Sequence, residues 1–260
     1  MSEVKIAPIP DLGQRTDEIT IYAGPCSVES AEQFEEVAEC VADLGLHWIR
    51  GGAFKPRTNP HSFQGLGEEA LKIMKAAGDK YNLKTLTEVM DSAHCQLVSD
   101  YVDGLQVGAR NFQNFSLLKK IGQVTADTHQ MVLYKRGFAG TIAEWLPDCG
   151  NDNVVLCERG IRTFETATRF TLDIAAVPVI HKQSLYPVCI DVSHPAGQRD
   201  LVPALAKAAV AAGADSLMIE VHPNPPVALS DGPQQLTPAQ FRELIAELRE
   251  LAACLGKKIV

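Results

Sequence analysis

Eight short, nearly continuous apolar runs recur along this chain, each followed by a polar loop and then a helical stretch. The runs are Thr20–Gly24, Trp48–Gly51, Thr85–Val89, Gly104–Val107, Met131–Tyr134, Val154–Cys157, Val188–Asp191 and Ser216–Glu220. Strands that are apolar at both alternating positions suit a parallel sheet covered on both faces. Helical patterns fill the intervals over Ser30–Leu44, Gly67–Tyr81, Ala93–Tyr101, Asn114–Ile121, Arg199–Ala212 and Pro238–Leu255. The first reads as a capping box, with Ser30 at the N-cap and Gln33 at N3. Gly45 and Gly213 stand where loops returning to a strand take a C-capping glycine.

Regular β–α alternation implies a parallel sheet. Eight units favour a closed (β/α)8 TIM barrel of the α/β class over an open doubly wound sheet. The absence of GxGxxG after the first run points the same way. A barrel takes about 250 residues, so the 260 residues here accommodate one domain. We place the barrel over residues 20–260 and an N-terminal extension over residues 1–19. Within that extension, Val4–Ile6 and Glu18–Tyr22 flank a turn-forming stretch, Pro8–Thr16, and are expected to pair as a hairpin.

A net charge of −8 argues against nucleic acid or an anionic membrane as a general partner. No apolar run approaches the roughly 20 residues of a membrane span, and the first fifteen residues lack the pattern of a signal peptide. A cytoplasmic location is expected. The seven cysteines are odd in number and include no CxxC, which argues against a disulfide framework or a structural zinc site.

In a barrel of this kind chemistry is done at the C-terminal ends of the strands, so the residues following each run are the informative ones. Two groups emerge. Arg50, Lys55, Arg57, Arg110, Lys135, Arg136, Arg159 and Arg162 place eight of the 24 basic residues on one rim of an acidic protein. Guanidinium forks bind carboxylate and phosphate bidentately and lysine adds a point charge, so an anionic ligand is expected there. Cys26, His194, Glu220 and Asp231 form the second group. Thiolate, imidazole and carboxylate together suit a divalent transition metal in an open catalytic site. Singly, each of these residues has an ordinary explanation as core, turn or salt-bridge residue. Only closure of the barrel brings strands 1, 7 and 8 side by side.

At these residues the sequence resembles the 3-deoxy-D-arabino-heptulosonate 7-phosphate (DAHP) synthases, in their short, barrel-only branch. The resemblance runs from Ile21 to Leu255. It is carried by Gly24-Pro25-Cys26-Ser27, Lys55-Pro56-Arg57-Thr58, Gln106-Val107-Gly108-Ala109-Arg110, Lys135-Arg136-Gly137, Cys157-Glu158-Arg159-Gly160, Ser193-His194 and Ser230-Asp231-Gly232-Pro233. It implies a metal held by Cys26, His194, Glu220 and Asp231, with manganese, iron, cobalt or zinc as candidates. It implies that phosphoenolpyruvate is bound through its phosphate by Arg110, Lys135 and Arg159, beside Gly108 and Ala109, and through its carboxylate by Arg50 and Lys55. Arg57 and Thr58 would hold the phosphate of erythrose 4-phosphate. Lys55, between the two substrates, is the candidate proton donor, with Cys26 and His194 completing the catalytic set and Glu88, Asp191 and His222 in support. A homodimer or homotetramer is implied as well.

A sister family uses arabinose 5-phosphate and reads Lys-Ala-Asn-Arg-Ser where this chain has Lys-Pro-Arg-Thr, which favours the four-carbon aldose. The chain departs from the pattern at Asn59, where serine is usual, at Val192, where proline is usual, and in a shortened stretch between Trp145 and Val154. The alternatives are condensation with another aldose and a non-catalytic phosphosugar-binding barrel.

Overall fold

The computed structural model describes residues 16–55, 61–128, 130–146 and 153–260. Eight parallel strands close on themselves: β1 (Glu18–Gly24), β2 (Trp48–Arg50), β3 (Lys84–Val89), β4 (Gly104–Val107), β5 (Met131–Lys135), β6 (Val154–Glu158), β7 (Val188–Asp191) and β8 (Ser216–Glu220). Closure is at β1, where Tyr22 is in register with Trp48 of β2 on one side and Met218 of β8 on the other. The helices are α1 (Ala31–Asp43), α2 (Glu68–Tyr81), α3 (Cys95–Ser99), α4 (Phe115–Thr125), α5 (Ile142–Trp145), α6 (Ala176–Gln183), α7 (Ser193–Ala196), α8 (Val202–Ala211) and α9 (Pro238–Cys254). The fold is a single-domain (β/α)8 barrel.

The apolar runs divide by parity. Met131 and Leu133 of β5, Val155 and Cys157 of β6, and Tyr22, Leu86, Cys189 and Met218 pack as one cluster inside the barrel. Their alternates, such as Val132, Tyr134, Val154 and Leu156, join the larger core between sheet and helices. A period of two in strands sends neighbours to opposite faces, and both faces here are covered, which is why neither parity is polar.

Gly45 and Gly213 adopt positive φ of 64° and 94°, as expected of C-capping positions. The capping box at Ser30 is only half formed. Ser30 Oγ accepts from Gln33 N at 3.1 Å, but Gln33 Oε1 accepts from Glu29 N, one residue outside the cap. The side chain is drawn outward because its amide also donates to Ser27 O at 3.2 Å.

Besides the single-turn α7, three elements were not read from the sequence. α5 is a single turn, in line with the shortened segment that follows it, and α6 is apolar without a clean stripe. The third is β9 (Lys258–Ile259), which pairs in parallel with Glu18 and Ile19 at the N-terminal end of β1. The expected hairpin partner Val4–Ile6 lies outside the described residues. The partner found for the start of β1 is the C-terminal strand, with Ile259 buried and Lys258 N donating to Asp17 O at 2.7 Å. No described helix is long and apolar enough to cross a membrane.

Candidate active and metal site

The end of β1 turns through Pro25 into Cys26, whose side chain is buried at the mouth of the barrel. Glu220 ends β8, and Asp231 lies eleven residues further on. Sγ of Cys26 and one carboxylate oxygen each of Glu220 and Asp231 lie within 4.8 Å of one another. His194, in the first turn after β7, faces the same point, its Nε2 3.5 Å from Glu220 Oε1 and 3.9 Å from Asp231 Oδ2. The thiol, imidazole and two carboxylates named from the sequence thus converge. This soft-and-hard donor set fits a divalent transition metal.

The protonation of these groups follows from burial and charge. Burial, reinforced by Glu220, pushes the Cys26 thiol up to about 11. Burial lowers the pKa of His194 below its ordinary value, so its ring is neutral at pH 7 and has a lone pair to offer. Burial alone would raise Asp231, but the charges of His194, Arg169 and Lys55 outweigh it and bring the carboxyl down to about 2.

Supporting residues fix the geometry. Asp191, fully buried, places Oδ2 2.7 Å from His194 Nδ1, while its Oδ1 accepts from the backbone N–H groups of Ser193 and His194. Gln235 Oε1 accepts from Cys26 N at 2.9 Å, and its amide nitrogen donates to Ser230 O at 2.8 Å, so one side chain ties the Cys26 turn to the residue before Asp231. Gln234 Nε2 donates to Glu220 Oε2 at 2.6 Å, and Arg169 Nη1 donates to Gln234 Oε1 at 2.9 Å. Arg169 also approaches Asp231 Oδ1 at 3.3 Å. Asp231 itself has a left-handed backbone, φ 47°, a conformation that Asp tolerates better than most residues.

Gln234, Gln235 and Arg169 were not anticipated. The two amides directly follow Asp231-Gly232-Pro233 and had a positional signal; Arg169 lies in a long polar loop and had none. His222, named as a supporting group, is pinned between Glu29 (Nε2 to Oε2, 3.4 Å) and the backbone of Asn224, which donates to its Nδ1. Glu88 accepts from Gln106 Nε2 at 3.0 Å, and it fills the space beside Gly108 that a Cβ would need.

The cations divide into two kinds. Lys135 Nζ is 2.6 Å from Asp191 Oδ2, and Arg50 Nη1 donates to Pro25 O at 2.7 Å and approaches Glu220 Oε1 at 3.3 Å. Lys55 Nζ donates to Cys26 O at 2.9 Å and approaches Cys26 Sγ at 3.0 Å, beside the metal-type donors. Arg136 departs from the expectation. Its guanidinium bonds Glu158 (3.0 Å), Asp173 (2.7 Å) and Gly140 O, so it is a neutralised structural group rather than part of an anion-binding rim. Arg110, Arg159 and Arg162, by contrast, have no carboxylate within ion-pair distance among the described residues. Arg159 is 5% exposed and its Nη1 has no hydrogen-bond partner, as is also true of the buried Arg50 Nε. Burial lowers the pKa of Arg159, and a buried guanidinium of this kind calls for an anion. Gly108 and Ala109 follow the end of β4 directly before Arg110. Arg57 and Thr58 lie outside the described residues. A separate polar cavity of about 660 Å³, at the opposite end of the barrel among His47, Asn82, Lys84 and Asp103, contains none of the candidate residues.

Comparison with known proteins adds to this geometry. Residues 12–255 match the DAHP synthetase I family. The chain is 50% identical over 246 residues to the phospho-2-dehydro-3-deoxyheptonate aldolase of Thermotoga maritima, an alignment spanning 92% of this chain and 72% of that one. The 2-dehydro-3-deoxyphosphooctonate aldolase of Vibrio vulnificus is 31% identical over 273 residues, covering 96% of this chain and 95% of that one. Among solved structures, the Thermotoga maritima DAHP synthase superposes with a TM-score of 0.89 at 48% identity, over 94% of this chain and 72% of that one. A truncated form of the 3-deoxy-D-arabino-heptulosonate 7-phosphate synthase from the same organism gives 0.85 at 45% identity, over 94% and 90%.

Proposed function

Because this chain belongs to the DAHP synthetase I family, we propose that it is a metal-dependent transferase that condenses phosphoenolpyruvate with erythrose 4-phosphate to give 3-deoxy-D-arabino-heptulosonate 7-phosphate and inorganic phosphate. The observation that carries the reading is the buried guanidinium of Arg159, with an unpaired N–H, at the same barrel mouth as the Cys26–Glu220–Asp231 cluster. A site with unneutralised cations next to metal-type donors suits an anionic substrate whose partner carries a carbonyl to be polarised.

Arg110, Lys135 and Arg159 would hold the phosphate of phosphoenolpyruvate and Arg50 and Lys55 its carboxylate, with Gly108 and Ala109 keeping the backbone close. Arg57 and Thr58 would hold the aldose phosphate. Two anions held face to face convert a bimolecular encounter into a positioned one, and fixed cations stabilise the charge that moves between them. C3 of phosphoenolpyruvate forms the new bond to the aldehyde carbon, whose oxygen takes up a proton. Lys55 Nζ, directed into the cluster, is the donor for that proton. Water adds at C2, and the C2–O bond to phosphate breaks to release inorganic phosphate. When bound by Cys26, His194, Glu220 and Asp231, a divalent cation (manganese, iron, cobalt or zinc) supplies Lewis acidity toward the aldehyde. Asp191 keeps the His194 ring oriented and Lys135 charged, since its carboxylate outweighs the burial that would lower the lysine.

The higher identity to the heptulosonate relative and the Lys55-Pro56-Arg57-Thr58 segment favour the four-carbon aldose over arabinose 5-phosphate. We expect a cytoplasmic homodimer or homotetramer, which sedimentation will measure.

The test is chelator-stripped protein reloaded with manganese and assayed by loss of phosphoenolpyruvate absorbance with either aldose, with Cys26→Ala as control. Metal-dependent turnover with erythrose 4-phosphate, lost in Cys26→Ala, supports the reading. Preference for arabinose 5-phosphate moves the substrate assignment. Binding of metal and phosphoenolpyruvate without turnover on any aldose removes the enzymatic reading and leaves a phosphosugar-binding barrel.

A further inference from the structure

Four arginines around the barrel mouth gather on one pair of aromatic rings. Phe138, in the loop after β5, and Phe170, in the loop after β6, stack with centroids 5.0 Å apart and planes 7° from parallel. The Arg159 guanidinium carbon lies 4.2 Å from the Phe170 centroid and 4.9 Å from that of Phe138. Arg162 and Arg110 approach Phe138 at 5.7 and 6.0 Å, and Arg169 approaches Phe170 at 6.0 Å. Arg159, Arg110 and Arg162 differ from their neighbours: Arg136 bonds two carboxylates, Arg50 approaches Glu220, and Arg169 itself approaches Asp231 at 3.3 Å.

The difference has a chemical consequence. A carboxylate that orients a guanidinium also neutralises it and competes with an incoming anion for its N–H groups. A ring face attracts the cation through its quadrupole and leaves every N–H free. Packing around the pair keeps the rings in place. Arg162 N donates to Phe138 O at 2.8 Å and Phe170 N to Pro195 O at 3.1 Å. Gly160, at φ 92°, admits Phe170, since a Cβ there would lie 2.7 Å from the Phe170 Cβ and 2.8 Å from that of Pro195. The glycine after Arg159 is thus part of the same arrangement.

We propose that Phe138 and Phe170 are positioning residues whose ring faces hold Arg159, flanked by Arg110 and Arg162, ready to receive the phosphate of phosphoenolpyruvate without neutralising it. The proposal rests on the substrate reading above. It assigns the rings an electrostatic role, distinct from packing, and that distinction can be measured.

The experiment replaces Phe170, and separately Phe138, with 4-fluoro-, 3,5-difluoro- and pentafluorophenylalanine in the full chain. Phosphoenolpyruvate binding is followed by calorimetry without aldose, and melting temperature is followed in parallel. Fluorination withdraws charge from the ring face at nearly constant shape. The dissociation constant is expected to rise stepwise at Phe170, by roughly tenfold across the series, and less at Phe138, with melting nearly unchanged. Phe170→Tyr is expected to bind like the parent, and Phe170→Leu like the most fluorinated form. A flat series at both positions, with parental binding intact, would overturn the positioning role while leaving the substrate reading untouched. Failure of the unmodified protein to bind phosphoenolpyruvate would overturn the substrate reading and this role with it.

Discussion

Asp191 Oδ2 lies 2.6 Å from Lys135 Nζ, and the same oxygen lies 2.7 Å from His194 Nδ1. One buried carboxylate therefore joins Lys135, proposed to hold the substrate phosphate, to His194, proposed to hold the metal. Its own pKa is held well below the ordinary range: burial would raise it, but His194 and Lys135 outweigh burial. Asp191→Asn keeps the shape and removes the charge. Loss of such a carboxylate behind a ligating histidine typically weakens metal binding about 10–100-fold, and Lys135 would lose its counter-charge. We expect both metal affinity and kcat to fall. Unchanged metal affinity by competition with a chelating dye would show that Asp191 does not orient His194.

Metal loading is expected to release a proton. Asp231 and His194 are already in their ligand forms at neutral pH, whereas the Cys26 thiol, at about 11, is protonated. A thiol becomes a ligand as thiolate, so raising the pH removes a proton that binding must otherwise expel. Apparent affinity should rise about tenfold per pH unit below that value, provided the thiol is the one group changing state. Calorimetry at pH 7 in buffers of different ionisation enthalpy should count roughly one proton per ion. In Cys26→Ala the count should drop to near zero, and retention of the full count there would exclude the thiol as its source.

Gln235 bridges Cys26 N and Ser230 O from a fully buried position. Gln235→Ala leaves a donor and an acceptor without partners, which costs about 1–3 kcal/mol for each group left unsatisfied in the interior. It also frees the turn carrying Cys26 from the loop carrying Asp231. We expect a lower melting temperature and weaker metal binding, with phosphoenolpyruvate affinity of the metal-free protein retained. In a cobalt-loaded sample the thiolate-to-cobalt absorption should diminish; an unaltered band at saturating cobalt would show that Cys26 is placed without Gln235.

At the other end of the barrel, Ile259 packs against the core and pairs with Ile19. Ile259→Asp buries an unpaired charge and breaks that packing, which places it among substitutions costing about 3 kcal/mol or more. The midpoint of urea unfolding should fall, while the KM for phosphoenolpyruvate should hold, because the substitution is remote from the mouth. A parental unfolding midpoint would mean that β9 contributes nothing to stability.

Much of this was legible in the chain itself. The eight apolar runs became eight strands with ends displaced by at most two residues, because parallel strands buried on both faces have no polar parity to confuse the pattern. The residues following each run pointed to the candidate site, since barrel chemistry concentrates there. β9 escaped because two residues carry no periodicity, and its partner Glu18–Ile19 is 239 or more positions away only through closure of the whole fold. The same holds within the site. Residue type alone determined that Cys26, His194, Glu220 and Asp231 can bind a metal and that the arginines can bind anions. Only the tertiary structure decided that Arg136 is neutralised by Glu158 and Asp173 while Arg159 lies against Phe138 and Phe170 with an N–H to spare. The two arginines have the same side chain and are separated by one strand. Both have a ring within reach, Trp145 in the case of Arg136; what distinguishes them is whether a carboxylate also lies within reach, and that is a property of packing between distant segments rather than of local sequence.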